Sequence, residues 1–372
     1  MGIGDQPGVR PEILPEILPE ILVVFGGYRP TFAGAERMAW RTATELAAAG
    51  HRVVAYTDSD RPDGIAAPDW PVLETAAELA VHFASHAPDL VHAFDLAKPS
   101  HVDEAVALAD RFGVPLALTP CSAPGVWPDR EQCLAACRAA DVVFALTGTE
   151  VDELTAAGVE ADRIRLVPHA ADLVGVARPD DFRAEHGIAE RNVLFVGRRT
   201  AFKGYAALLA ATELVWLELP DVDFVFAGPN SDDDTAEVFA RHADPRVHDL
   251  GVVDEATKHD AIAACSVFCL PTGIDVFPLV FLEAWGCGKP VVSGDFPGVE
   301  RVIRSDVDGL AVRPEPAALA EVLVALLTDE RRRTAMGAAG ARRVREEYGW
   351  DRQVAEVRAG YQAVGRKARL GR

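Results

Sequence analysis

The sequence predicts an α/β protein of two domains, each built on a parallel sheet. Three observations predict it. The chain has 372 residues, enough for two separate hydrophobic cores. Strand-like and helix-like patterns alternate from Ile21 to Leu173 and again from Val193 to about Leu326, and alternating βα units make parallel sheets. Between the two runs, Val174 to Asn192 breaks the pattern with Pro179, Asp180, Asp181 and Gly187. The expected organisation is a disordered N-terminal arm over 1–20, a first domain over 21–178, a second over 179–345 and a helical segment over 346–372.

The elements follow in order. Residues 11–22 are three tandem Pro-Glu-Ile-Leu copies. Proline at every fourth residue forbids a regular helix, so the first two copies read as an extended arm and the third runs into a strand. That strand, from Ile21, opens into a loop of small residues ending at Ala33-Gly34. A helix is expected over Arg37 to Ala49, stopped by Gly50, with a strand over Arg52 to Tyr56. Further strands are read at Pro88 to Asp95 and Ala140 to Thr147, and Arg165 to Asp172 closes the first domain. In the second domain a buried strand, Val193 to Val196, ends at Gly197, and Gly204 opens a helix over Tyr205 to Leu214. The last helix is expected over Trp350 to Ala363.

Composition narrows the class. Hydrophobic residues make up 49% and charged residues 25%, as in soluble globular proteins. The net charge of −20 argues against nucleic acid and anionic membrane surfaces as partners. No apolar run approaches the roughly 20 residues that cross a bilayer, and no cationic leader with a cleavage site is seen. No stable membrane insertion is expected, and a cytoplasmic location is. Cys133 and Cys137 are spaced i, i+4, but no third ligand stands nearby, so the six cysteines read as reduced, buried thiols.

The densest chemistry lies in Gly273 to Val292. Asp275 and Glu283 flank the apolar run Phe277 to Leu282, and Gly286-Cys-Gly-Lys-Pro290 turns into Val291-Val292. This pattern is a loop that opens a helix, then a tight turn into a buried strand. A helix N-terminus suits a phosphate, and a carboxylate two turns further in can accept hydrogen bonds from sugar hydroxyls. Some seventy residues earlier, Arg198 and Lys203 follow the strand ending at Gly197. Cations at the carboxyl end of a strand in an open α/β sheet sit where such folds bind ligands, and they neutralise a diphosphate without a metal. With only five lysines in the chain, a lysine at this place is the more telling.

Together the two segments resemble glycosyltransferase family 4, whose pattern is a strand, G-R-x4-K-G, and later E-x7-E followed by A-x-x-x-G-x-P-V-V. This chain has Gly197-Arg198-x4-Lys203-Gly204 and Asp275-x7-Glu283, then Ala284, Gly288, Pro290, Val291 and Val292. The likeness extends over nearly the whole chain after residue 20. It implies a GT-B fold, with two Rossmann-like domains facing across a cleft and a last helix that crosses back onto the first. It implies a retaining, metal-independent transferase with a nucleotide diphosphate sugar as donor and no cofactor. Arg198 and Lys203 would hold the diphosphate, Asp275 would contact the transferred sugar, and Glu283 would accept from the ribose. Gly34, Gly197, Phe277, Leu279 and Val280 would line the donor site, with Val253 and Thr272 flanking the base. His92 would orient the sugar, or else sit as a core histidine with its ring satisfied; both readings stand at this point.

Several positions depart from the family. Phe94 stands where relatives often keep a second histidine; Asp275 is one methylene shorter than the usual Glu; Pro278 has no N–H for a phosphate; and His169 and Ala170 replace an Asn-Gly pair. These departures leave open a catalytically silent GT-B binding protein, and more remotely a GT-B epimerase of sugar nucleotides. Asp58-Ser-Asp60 spells the D-x-D of metal-dependent transferases but is discounted, since the same spacing recurs at Asp221/Asp223 and Asp306/Asp308. The acceptor is expected to be a soluble small molecule, as in natural-product pathways; neither its identity nor the oligomeric state is legible.

Overall fold

The computed structural model describes residues 19–27, 34–57, 68–173 and 175–370, with side chains to residue 365. The first two Pro-Glu-Ile-Leu copies, Ala33 and the Asp58–Asp60 pair lie outside the described residues.

Thirteen strands form among the described residues: β1 (Glu20–Val24), β2 (Arg52–Tyr56), β3 (Val72–Leu73), β4 (Leu90–Phe94), β5 (Leu116–Thr119), β6 (Val142–Ala145), β7 (Ile164–Leu166), β8 (Asn192–Val196), β9 (Asp223–Ala227), β10 (Val247–Gly251), β11 (Val267–Leu270), β12 (Val291–Gly294) and β13 (Gly309–Val312). The first seven make one sheet in the order β3-β2-β1-β4-β5-β6-β7 and the last six another, β10-β9-β8-β11-β12-β13. Neighbouring strands pair in parallel, with Val23 opposite His92 and Val193 opposite Val267. The central strands are buried along their whole length, because helices cover both faces and no residue can face water. These are the two Rossmann-like sheets of the GT-B architecture.

Each sheet reverses its building direction once, between β1 and β4 and between β8 and β11. Strand order at such a point leaves a crevice beyond the carboxyl ends, where open α/β sheets bind ligands.

Five helices position the site: α1 (Gly34–Ala48), α2 (Tyr205–Trp216), α3 (Glu255–Ala264), α4 (Leu279–Gly286) and α5 (Trp350–Leu370). Gly204, between β8 and α2, has φ +75°, and a Cβ there would lie 2.2 Å from the Pro271 carbonyl oxygen. Only glycine lets this turn sit against the end of β11. Helix α5 carries Val354, Val357, Tyr361 and Val364 into the core beside Ile21, Val23 and Phe144 of the first sheet. Trp350 Nε1 donates to Ala171 O at 2.9 Å and Gln353 Nε2 to Thr42 Oγ1 at 3.3 Å. The last helix therefore packs on the first sheet. It runs past Ala363 because Gly365 costs only about 1 kcal/mol relative to alanine and does not stop it.

Candidate active site

A cavity of about 190 Å³ lies between the carboxyl ends of the two sheets. The first domain contributes Gly34, Asp95, Cys121 and His169; the second contributes Gly197, Arg198, Lys203, Asp275, Phe277, Leu279 and Val280. A larger cavity, about 920 Å³, is lined by Glu20, Arg52, Val53 and Trp70. It runs from the amino ends of β1 and β2 along α1 to Arg37, Arg41, Asp172 and Glu255; its sheet end is the wrong one for ligand binding in an open sheet, so the smaller cavity between the carboxyl ends is the candidate site.

Two adjacent arginines follow β8 and part ways. Arg198 is exposed at the cavity and has no carboxylate partner among the described residues. Arg199 is 1% exposed, donates to Asn230 Oδ1 at 2.6 Å, pairs with Asp249 and lies over the Phe239 ring. One is available to a ligand, and the other ties β8 to its neighbours. Lys203 Nζ donates to Asp275 Oδ2 at 2.5 Å, and Asp275 Oδ1 accepts from the Val276 amide at 3.0 Å. The pair brings together residues 72 positions apart, with both side chains still partly exposed. Pro278 precedes α4, so the Leu279 and Val280 end of that helix faces the cavity with unpaired amide character. Phe277 is wedged between the His169 ring, stacked at 6.2 Å, and Tyr348 at 5.4 Å.

Three expected donor residues stand outside this cavity. Thr272 is fully buried, and its hydroxyl donates to Ile274 O at 2.9 Å, which shapes the loop instead of meeting a ligand. Val253 precedes α3 and packs against the second core. Glu283 sits just over one turn into α4, not two, and is fully buried. Lys258 Nζ donates to Glu283 Oε1 at 2.9 Å, and Arg37 of α1 approaches the same oxygen at 3.0 Å. Glu283 Oε2 is buried with no hydrogen-bond partner among the described residues. Arg37 also reaches Asp172 at 2.7 Å and Glu255 at 2.8 Å, and Lys258 reaches Glu255 at 2.7 Å.

The first-domain wall corrects one expectation. His92, read as a sugar-orienting group or as a satisfied core histidine, is the second: it is 0% exposed inside β4. Its Nδ1 meets the Tyr361 hydroxyl at 2.7 Å and its Nε2 the Thr119 hydroxyl at 2.8 Å. Burial lowers its pKa to about 3, so the ring is neutral and fully occupied, and it does not line the cavity. Side chains alternate along a strand, and this one points into the layer under α5. Phe94 is also buried, its ring 4.1 Å from His92. The residue that does reach the cavity from β4 is Asp95, which sequence reading passed over. It has φ +71°, and Cys121 at the end of β5 has φ +59°. Non-glycine residues hold this region only where the surroundings over-determine them. Asp95 Oδ1 accepts from the Ala97 amide at 3.0 Å, and burial raises its carboxyl above the usual range. Burial likewise raises the Cys121 thiol and lowers His169 to about 3.

Sequence reading also missed Arg37, Glu255 and Lys258. The scarcity of lysine that drew notice to Lys203 applies equally to Lys258. Asp95, directly after a buried strand at the switch point, carried the signal that the crevice rule needs. Arg37, one arginine among many, carried none.

Two family models match the chain. Residues 33–170 match the glycosyl transferase 4-like domain and residues 190–329 the glycosyl transferases group 1 domain. The chain is similar to D-inositol 3-phosphate glycosyltransferase of Xylanimonas cellulosilytica, at 33% identity over 287 residues, 67% of this chain and 66% of that protein. It is also similar to phosphatidyl-myo-inositol mannosyltransferase of Mycolicibacterium smegmatis, at 33% over 177 residues, 47% of this chain and 45% of that one. The matched stretch thus spans from 45% to 66% of these relatives' lengths. Among solved structures, Anabaena HepE in complex with UDP and glucose superposes with a TM-score of 0.78 at 17% identity, covering 93% of this chain and 100% of that one. Sucrose-phosphate synthase of Thermosynechococcus elongatus superposes with a TM-score of 0.75 at 21% identity, covering 92% and 98%. At these identities the two structures share the fold.

Proposed function

The chain belongs to the glycosyltransferase family 4-like proteins, and on that premise we propose that it is a glycosyltransferase. It moves a sugar from a nucleotide diphosphate sugar to a hydroxyl of a small soluble acceptor, with retention at the anomeric carbon and no metal. The observation that carries this reading is the Arg198, Lys203 and Asp275 grouping at the end of β8, opposite the start of α4.

In the reaction the bond from the anomeric carbon to the diphosphate oxygen breaks and the bond to the acceptor oxygen forms. Negative charge gathers on the leaving diphosphate. Arg198 and Lys203 meet that charge from fixed positions, which replaces the role of a divalent ion. Asp275, held by Lys203, accepts from hydroxyls of the transferred sugar. The acceptor proton passes to a phosphate oxygen on the same face, so no protein base is required. This fits a first-domain wall on which His92 is sealed off and His169 is neutral.

A net charge of −20 disfavours acidic polymers and anionic lipid surfaces, which supports a small acceptor. No helix among the described residues is long and apolar enough to cross a membrane. The relatives named for inositol phosphate and phosphatidylinositol favour a second reading, an inositol-based acceptor. The test is turnover of UDP- and GDP-sugars against a panel holding myo-inositol, inositol 3-phosphate, aminocyclitols and neutral polyols. Nucleotide release that depends on an acceptor is expected, and the anomeric proton of the product should show retention. Donor binding without release under any acceptor would favour a silent binding protein; an inverted product would refute retention.

A further inference from the structure

A partly buried charge cluster joins the two domains at one end of the larger cavity. Arg37 and Arg41 of α1 meet Asp172, which follows β7, at 2.7 and 3.2 Å. Lys258 of α3 meets Glu255 and Glu283 at 2.7 and 2.9 Å. Within the first domain Arg41 is also paired with Glu45 at 2.8 Å, so that half is balanced, whereas the second-domain half has two carboxylates for one cation. Arg37 closes the imbalance by reaching across to Glu255 at 2.8 Å and to Glu283 at 3.0 Å.

The cost of this arrangement says what it is for. The Arg37 side chain is 12% exposed and that of Glu283 0%. Burial opposes the charge on Arg37, yet Glu283, Glu255 and Asp172 outweigh it and hold the guanidinium protonated. On Glu283 two cations engage Oε1, while Oε2 is buried with no hydrogen-bond partner among the described residues. A carboxyl oxygen kept from water and unpaired is unfavourable unless a donor arrives. A vicinal diol is such a donor.

We propose that Arg37 is a positioning residue: the first domain uses it to fix Glu283 for the ribose diol of the donor, so that nucleotide binding and closure of the two domains are coupled. This rests on the donor reading above and on the ribose contact that the family resemblance implies for Glu283. With Oε1 pinned from both domains, Oε2 is presented in one orientation. Separation of the domains withdraws Arg37 and frees the carboxylate to turn toward Lys258 alone. Ribose hydroxyls on Glu283 therefore favour the closed arrangement, and closure favours the ribose, by the reciprocity of linked equilibria.

The experiment is calorimetry on the full chain with UDP, GDP and ADP, then with the 2′,3′-dideoxy counterpart of whichever binds best. Arg37→Met should weaken the ribonucleotide about tenfold, as for other directly coupled pairs. It should weaken the dideoxy nucleotide less than about twofold, and in a Glu283→Gln background the penalty on the ribonucleotide should vanish in the same way. Arg37→Lys, which keeps the charge but loses the fork, is measured in parallel in case Arg37→Met does not fold, and should weaken only the ribonucleotide, by about threefold. Equal weakening of both nucleotides would mean a structural role and would overturn the proposal. Unchanged or tighter ribonucleotide binding would also overturn it while leaving the donor reading intact. Failure of the wild-type chain to bind any of the three would remove the donor reading and this inference together.

Discussion

At the carboxyl end of β8, Arg198 stands in solvent and Lys203 holds Asp275 at 2.5 Å with both side chains partly wet. Facing them, at the ends of β4 and β5, Asp95 and Cys121 are held in left-handed backbone conformations, and His169 is buried and neutral. The second-domain wall keeps its charge where a ligand can use it. The first-domain wall pushes its groups toward their neutral forms: burial raises Asp95 and Cys121 and lowers His169, as it lowers His92 in the layer behind them. One wall acts by electrostatics carried on a few side chains, the other by shape held in a rigid, dry layer. Substitutions should therefore fail differently on the two sides: on the second they cost rate, on the first they cost fold.

The sharpest way to break this contrast is to remove the cations. Arg198→Ala and Lys203→Ala should each lower turnover by about 30- to 1000-fold, from ~2–4 kcal/mol of lost transition-state stabilisation. Arg198→Ala should leave the melting transition nearly in place, because an exposed side chain with no described partner contributes within about 0.5 kcal/mol. Steady-state kinetics and a melting curve on the same samples check both halves. Near-normal turnover in both variants would show that the charge on the second wall does not serve the reaction.

The same contrast explains what was legible in the sequence. The second wall could be read because its parts have local signatures. Gly204 must be glycine at φ +75° against Pro271, Lys203 is one of five lysines, and Asp275 and Glu283 keep a fixed spacing. The alternation that gave two parallel sheets was equally local, since buried strands and their covering helices mark themselves by period. The first wall is different. His92 was given a place at the sugar, yet its fate depends on Tyr361, 269 residues away on α5, and no pattern near residue 92 announces that partner. Asp95 reaches the cavity through a backbone angle that sequence does not print. Arg37 acquires its role only when α1, α3 and α4 meet.

A second test asks whether the first-domain wall is as dry as its geometry requires. His92 and His169 both have pKa values of about 3 in the folded protein against an ordinary 6.5. Below pH 6.5 the unfolded chain takes up protons that the folded chain refuses. Stability contributed by each neutral ring is therefore complete above pH 6.5 and falls as pH drops from there toward 3, by up to about 1.4 kcal/mol per unit per histidine. Urea melts between pH 7 and 5 should show the loss. His169→Asn should shrink the slope by about one histidine's share. His92→Gln should do the same, while costing about 1–3 kcal/mol at pH 7 for the Tyr361 and Thr119 hydroxyls left mispaired. Turnover per folded molecule should stay within about threefold for His92→Gln. A folded His92→Gln protein with no turnover would restore His92 to the chemistry and erase the difference between the walls.

The smallest expected effect is none at all. If Arg198 and Lys203 supply the positive charge that the leaving diphosphate needs, chelation should leave the rate unchanged. Among the described residues, one group has ligand atoms close enough to hold a metal ion: Glu20, His82 and His86. Glu20 begins β1, and Glu20 and His82 line the larger cavity by the amino ends of the first sheet, which shares no residue with the candidate site. Glu20 is also engaged by His86 at 3.1 Å and Arg52 at 3.4 Å, so its carboxylate is already compensated. An ion captured there would change stability, not turnover. Assay in EDTA, followed by addition of Mg²⁺ or Mn²⁺, separates the cases. Full activity in chelator is the outcome expected from a wall that carries its own cations. Complete loss, restored by either ion, would show that these two side chains do not suffice, and that the charge contrast between the walls depends on a metal held in the cleft.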